Sequence, residues 1–368
     1  MPDPLIDSDA EAAGDARPVP SPRSTTLGLA ILVTLVLLAA LLFVPVPYAI
    51  GSPGPTRDTL GAQGGTPLIE IKDAKTYRST GQLRMTTVSF SGGPGYPVTV
   101  PLVIQAWLSR SSVVSPVESV FPTQRSKADL AKQNTAEMVS SQENATVAAL
   151  EELGYPVPAR LVVAGTVKDT GAVGVLDDGD VVVALQGKAI ATYTELVAAL
   201  TKIQPGERVT LGIERGGAPL DVEIVTGKRA SGGSQLGVFI DPRFELPIDV
   251  KIKIEDIGGP SAGTMFALGI IDKLTPQDEA NGVVIAGTGT MDVNGAVGPI
   301  GGIRQKLAGA RRDGATWFLA PADNCGEVVG NVPAGLHVAK IATLHAAREA
   351  MTAIGAGKGA SLPTCTAS

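Results

Sequence analysis

Ser261 and Lys306 are the two side chains in this sequence best placed to do covalent chemistry. Ser261 follows a tight Gly258-Gly259-Pro260 turn and precedes the apolar run Met265 to Ile271, which reads as a buried helix. Glycines at such a turn allow backbone geometries that a side chain forbids, and they bring bare N–H groups close to the hydroxyl. The partial positive charge at a helix start favours a developing oxyanion in the same place. That combination suits acyl transfer, provided something takes the serine proton. The chain has only two histidines. His337 lies in the alternating run Leu336-His337-Val338-Ala339 and reads as a strand residue; His345 lies on an Ala-rich terminal helix. Lysine is the better candidate base. In Gly298-Pro299-Ile300-Gly301-Gly302-Ile303-Arg304-Gln305-Lys306-Leu307 a second Gly-rich turn opens a helix, with Lys306 about one turn in. Apolar neighbours at 303, 307 and 310 disfavour the ammonium and lower its pKa. Bringing a lysine from about 10.4 into the range useful for a base costs roughly 4 kcal/mol, within what burial supplies.

The two stretches resemble the paired signatures of Lon-type Ser-Lys proteases (peptidase S16): Gly-Pro-Ser-Ala-Gly at 259–263, and Gly-x-Val-x-Pro-Ile-Gly-Gly-Ile-x-x-Lys at 295–306. The resemblance implies that Ser261 is the nucleophile and Lys306 its base, with Gly259 and Pro260 shaping the turn. It also implies that Thr288, in Ala286-Gly287-Thr288-Gly289, hydrogen-bonds the lysine amine. Neither a cofactor nor a metal is expected, and polypeptides are the implied substrate. The alternative is a non-catalytic peptide-binding adaptor that keeps the fold; intact Ser261, Lys306 and Thr288 favour the enzyme.

The elements that must position these residues are spread along 368 residues carrying a net charge of −6. That length suggests two or three compact units. Mild acidity without basic clusters argues against a nucleic-acid partner. Residues 1–24, rich in Pro, Ala, Asp and Ser, read as a disordered tail. Residues 25–45 contain the apolar run Leu27–Val44 and read as one transmembrane helix. A short tail before the span and a large body after it place the body outside the cytoplasm, at a cell membrane. Residues 46–67 read as a Pro/Gly linker. Residues 68–155 read as the first part of the proteolytic domain, with strands at 68–71 and 83–90, a short strand or helix at 101–108, and a helical connection at 124–153.

Residues 160–227 read as a separate β-rich unit. The Gly-Asp-x-Val-x-x-Leu-x-Gly pattern at 179–187 and the Arg215-Gly216-Gly217 turn resemble a bacterial PDZ domain. Such domains take up an extended peptide as an added strand. The resemblance places the groove between the strand at 161–167 and the helix at 194–203. Asp177, Asp178 and Asp180 read as turn carboxylates rather than metal ligands. Catalytic material resumes at 235 and runs to 354, followed by a tail at 355–368. The expected fold is therefore mixed α/β (α+β): a Lon-type proteolytic domain with an inserted PDZ-like β-rich domain, preceded by one membrane helix. Alternating strands and helices in the second half support the layered reading.

No Gly-x-x-x-x-Gly-Lys-Ser/Thr loop occurs; Gly355-Ala356-Gly357-Lys358-Gly359 lacks the first glycine and the hydroxyl residue. Cleavage of already extended polypeptide without ATP is the expectation. Assembly into hexamers is implied by the family resemblance alone. The only two cysteines, Cys325 and Cys365, lie in polar or Pro-containing segments after both motifs. A disulfide between them is expected in an extracytoplasmic chain.

Overall fold

The computed structural model describes residues 22–93, 96–121, 127–229, 232–254 and 257–366. In chain order the principal elements begin with helix α1 (Pro22–Leu41), then strands β1 (Pro45–Val46), β2 (Tyr48–Pro53), β3 (Arg57–Asp58), β4 (Ile69–Lys72), β5 (Gln82–Met85), β6 (Val88–Ser91) and β7 (Val98–Thr99). Helix α2 (Val100–Leu108), strand β8 (Val113–Pro116) and the long helix α3 (Lys127–Glu152) follow. Next come β9 (Ala159–Thr166), β10 (Val181–Leu185), helix α4 (Tyr193–Thr201), β11 (Arg208–Arg215), β12 (Ala218–Val225) and β13 (Val238–Phe244). The last third contains β14 (Asp249–Ile252), α5 (Gly263–Leu274), β15 (Val284–Gly287), α6 (Ile303–Arg312), β16 (Trp317–Pro321), β17 (His337–Ile341) and α7 (Leu344–Gly355).

One five-stranded sheet, in the order β17-β16-β15-β5-β3, organises the site. Its strands β17, β16, β15 and β5 run parallel, and β3 closes the edge antiparallel to β5. Parallel strands are covered on their faces, and here the cover is α5, whose residues 263 to 272 are all buried. Met265, Phe266, Leu268, Ile270 and Ile271 join Leu83, Met85, Ile285 and Leu319 of the sheet in one core, completed by Ala145 and Ala149 of α3 and Met351 of α7. Strands from both ends of the chain meet here: β4 pairs with β14 and β5 with β15. The region between them folds on its own sheet, in the order β12-β11-β10-β9-β13, around Leu161, Leu196, Leu211, Ile213 and Ile224.

Four expectations need correction. First, residues 46–67 are not a linker. β2 pairs with both β8 and β6, β3 pairs with β5, and Ala49, Ile50, Thr56 and Thr59 are buried. Thr56 receives a hydrogen bond from Arg84 and donates to Asp313, which ties this segment to both ends of the fold.

Second, β13 pairs with β9 along its length and Leu236 is buried in the second core, so residues 235–244 complete the inserted sheet and do not open the catalytic domain. Third, β13 thereby occupies the sheet edge beside β9 where the peptide groove was expected. A cleft does lie one strand further out, between α4 and β13.

Fourth, the expected transmembrane helix at 25–45 is not met: among the described residues, no helix is long and apolar enough to cross a membrane. α1 starts with the polar turn Pro22–Thr26 and ends at Leu41. The apolar helical part, 27–41, rises about 22 Å against a hydrocarbon core of about 30 Å. Residues 22–24, expected to be disordered, begin this helix; the rest of the expected disordered tail, 1–21, lies outside the described residues. The segment 101–108 is helical, as α2, and the 83–90 strand divides into β5 and β6.

Cys325 and Cys365 form a disulfide across 40 residues. With the hydrogen bond from Lys340 N–H to the Pro363 carbonyl, it lays the end of the chain along β17.

Candidate active site

Three motifs converge at the start of α5. Ser261 stands half-buried one residue before the helix N-cap, Ala262. Thr288 follows β15 directly and is fully buried. Lys306 sits in the first turn of α6 and is 3 % exposed. Its Nζ lies 2.8 Å from Ser261 Oγ and 2.9 Å from Thr288 Oγ1. Thr288 Oγ1 is also 2.9 Å from the Ser261 carbonyl, to which it donates. Having spent its proton there, the threonine can only accept from the amine, which fixes the direction of the network.

The backbone around the three is braced. Gly289 N–H donates to Ser261 O, Thr264 N–H donates to Gly289 O, and Thr288 N–H donates to Leu319 O on β16. Gly302 caps α6 with φ +71, in the left-handed region. A Cβ there would also stand 2.6 Å from Val88 Cγ2, so the residue that lets α6 approach β6 has to be glycine.

Among the described residues, no carboxylate pairs with the Lys306 amine. Burial alone pushes its pKa down to about 7 from the ordinary lysine value near 10.5. A substantial fraction of the amine is therefore unprotonated at neutral pH, which a general base requires.

Both histidines are engaged elsewhere. His337 is exposed on β17 and stacks against Trp317, ring centroids 4.9 Å apart. His345 on α7 pairs through Nδ1 with Glu152 at 2.9 Å. Of the three turn carboxylates, Asp180 takes a two-pronged hydrogen bond from Arg215, and Asp177 lies 3.1 Å from the same guanidinium.

Two positions on α3 were not legible as parts of the site. Gly259 N–H donates to the carbonyl of Asn134, and Ser141 Oγ donates to the carbonyl of Pro260. Together they hold the Gly259-Pro260 turn, where Gly259 has φ +87. Over Ser261 opens a cleft of about 260 Å³ whose apolar wall includes Met85, Val88, Met138, Ile257 and Ala262. β6 is the outermost strand of its sheet and forms one side of this cleft through Val88 and Ser89. In the inserted unit, a second cleft of about 180 Å³ runs between α4 and β13, lined by Leu196, Val197, Leu200, Val238 and Ile240, with Arg229 among its polar contributors.

Two family models match the chain, the second starting within α3 and ending before β13. Residues 248–351 match the family model of the Lon protease (S16) C-terminal proteolytic domain, and residues 136–226 match that of the PDZ domain. Lon protease 1 of Bacillus subtilis is 36% identical over 89 residues, 23% of this chain and 11% of its own length. Lon protease 2 of Herpetosiphon aurantiacus is 41% identical over 86 residues, 22% of this chain and 10% of its own. The chain thus spans about a tenth of the length of these relatives. Among solved structures, the PDZ domain of an SdrC-like protein from Listeria monocytogenes covers 22% of this chain and 86% of its own at 22% identity, with a TM-score of 0.21.

Proposed function

We propose that this chain, in which a Lon-type S16 proteolytic domain is combined with a PDZ domain, is a serine endopeptidase that cleaves extended polypeptide. The observation that carries the reading is the Lys306 amine, 2.8 Å from Ser261 Oγ with its pKa lowered to about 7. In the first step Ser261 Oγ attacks the scissile carbonyl while its proton passes to neutral Nζ. Thr288 Oγ1 accepts from the ammonium so formed, which holds it in place until it gives the proton to the leaving amine. Water then attacks the acyl-serine ester, with Nζ again taking the proton. The oxyanion of each tetrahedral intermediate develops against the N-terminal end of α5, where the helix dipole favours negative charge.

An extended segment fits along the outer edge of β6, with one side chain in the cleft walled by Met85, Met138 and Ile257. A second extended segment fits along β13, which is the edge strand of its sheet, in the groove against α4. This reading makes the inserted unit a peptide-binding site that delivers substrates or senses a partner's chain end. It needs no ATP, because the substrate enters already extended.

The side chains of α1 support a further part of the proposal: Leu29, Ile31, Leu35 and Leu38 are all exposed, with no cover among the described residues. We assign α1 and the apolar residues after it to a membrane tether, with the body on the extracytoplasmic side, where a disulfide such as Cys325–Cys365 persists.

The test is hydrolysis of an unfolded protein by the purified full chain. Ser261→Ala and Lys306→Arg should each abolish it while leaving the thermal unfolding transition cooperative, since a guanidinium does not give up its proton. Retained activity in either variant refutes the assignment.

A further inference from the structure

Helix α2 is apolar on almost every side yet packs by only one seam. Val103 and Ala106 are buried, against Ile50 of β2 and Val98 of β7, with Val46 and Val114 beside them. Leu102, Ile104, Trp107 and Leu108 stand exposed, Trp107 at 67% and Leu108 at 83%. A helix that is hydrophobic beyond the face it packs has another apolar surface to meet.

Its position says which. α1 ends at Leu41, and after Leu42, Phe43 and Val44, all exposed, the chain enters β1. Pro45 and Val46 of β1 pair with Thr99 and Val98 of β7, and α2 starts at the next residue, Val100. One antiparallel pair, about 5 Å across, therefore joins the foot of α1 to the head of α2. Tyr48 and Tyr96 are exposed beside this junction. Just past the far end of α2, Arg110 and Arg304 are both exposed and line one surface cleft, the Arg304 guanidinium donating to the Arg110 carbonyl at 3.4 Å, so two basic residues adjoin there. Neither 42–53 nor 96–116 contains an Asp or Glu. Exposed aliphatic and aromatic side chains with arginines at one end, the acid Glu118 lying beyond β8, match the boundary between acyl chains and anionic headgroups.

We propose that α2, with Phe43, Tyr48 and Tyr96, is a second bilayer contact that lies in the headgroup region of an anionic membrane. The proposal rests on the tether reading of α1 and extends it: α1 holds the chain, and α2 sets its orientation. α2 lies on β2, and β2 pairs on its other side with β6, which lines the cleft over Ser261. Docking α2 therefore keeps the cleft within a few strand widths of the lipid, in reach of polypeptide segments that emerge at the membrane surface.

The chain has two tryptophans, Trp107 and Trp317. Trp317 packs internally against His337, so Trp317→Phe leaves Trp107 as the sole reporter. The full chain carrying this change is mixed with vesicles of phosphatidylcholine alone or with phosphatidylglycerol, some brominated high on the acyl chains, and then floated. The proposal expects co-flotation, quenching of Trp107 by the brominated lipid, and stronger quenching as phosphatidylglycerol is added. Ile104→Asp with Leu108→Asp spares the Val103/Ala106 seam and should abolish quenching while flotation through α1 persists. Flotation without Trp107 quenching in the parent overturns the α2 contact and leaves the tether reading standing. Failure to float overturns both. A blue shift of Trp107 that needs no vesicles and grows with protein concentration would mean that a second copy covers α2, and it too overturns the proposal.

Discussion

Replacing Lys306 with methionine should make the protein inactive and, at neutral pH, more stable. The amine is 3 % exposed, and burial holds its pKa at about 7 where an unfolded chain has 10.5. The group is a base whose folded pKa is lowered, so between these values the unfolded state binds more protons and stability rises with pH. The cost of keeping the lysine in the fold is full below about pH 7 and vanishes above about pH 10.5. Worked from the two pKa values, it is about 4 kcal/mol at pH 7 and about 2 kcal/mol at pH 9. Methionine fills a similar volume without the charge, but it forfeits the hydrogen bonds to Ser261 and Thr288. That loss is nearly the same at both pH values. The difference between parent and variant should therefore shrink by about 2 kcal/mol from pH 7 to pH 9, whatever its absolute size. Urea unfolding of both proteins at the two pH values measures it. A difference independent of pH would mean that the amine titrates as an ordinary exposed lysine, and the case for Lys306 as a base would fall with it.

Thr288→Val removes the acceptor that orients the amine but no proton-transfer group, so kcat/KM should fall about tenfold, the equivalent of one hydrogen bond, and far less than for Lys306→Arg. Asp272 at the end of α5 is buried, its Oδ2 lacks a well-formed hydrogen bond among the described residues, and desolvation, reinforced by Asp278 and Glu279 and only partly offset by nearby Ser79, pushes its pKa up to about 6. Its folded state binds the extra proton, so stability is lost as pH rises through about 6. Asp272→Asn, which keeps the acceptor for Glu279 N–H, should therefore stabilise by up to about 3 kcal/mol at pH 7 and hardly at all below pH 4, as thermal melts would show. Val197→Trp should fill the α4–β13 groove, leaving hydrolysis of a short peptide intact while slowing that of a protein substrate. Equal loss of both would make the inserted unit purely structural. Cys365→Ser opens a 40-residue loop and should lower unfolding stability by up to about 4 kcal/mol under oxidising conditions and by nothing after reduction of the parent.

Much of the site was legible because it is local. A serine after Gly-Gly-Pro and a lysine one turn into a Gly-led helix announce their own backbone, and apolar neighbours at 303, 307 and 310 announce the burial of Lys306. What escaped was non-local. Asn134 and Ser141 look like ordinary polar residues of a long helix, and Ser141 acquires its role only by meeting Pro260, 119 residues later. The pairing of β13 with β9 closed the sheet edge expected to be open, because strand composition does not reveal which edge a distant segment will occupy. Residues 46–67 looked like a linker because Pro and Gly conceal β2, whose Ala49, Ile50 and Gly51 are buried between two partner strands. The span at 27–44 was overestimated because hydropathy counts Leu42, Phe43 and Val44, while the helix stops at Leu41.

The most direct test of the central claim is to map where, and at what pH, a serine-reactive fluorophosphonate modifies the native chain. The account predicts one adduct, on Ser261, formed at a rate that rises with pH through about 7, as the Lys306 amine loses its proton. It also predicts no adduct in Lys306→Met. An adduct on another residue, a rate that ignores pH across this range, or unimpaired labelling of Ser261 without Lys306 would contradict it.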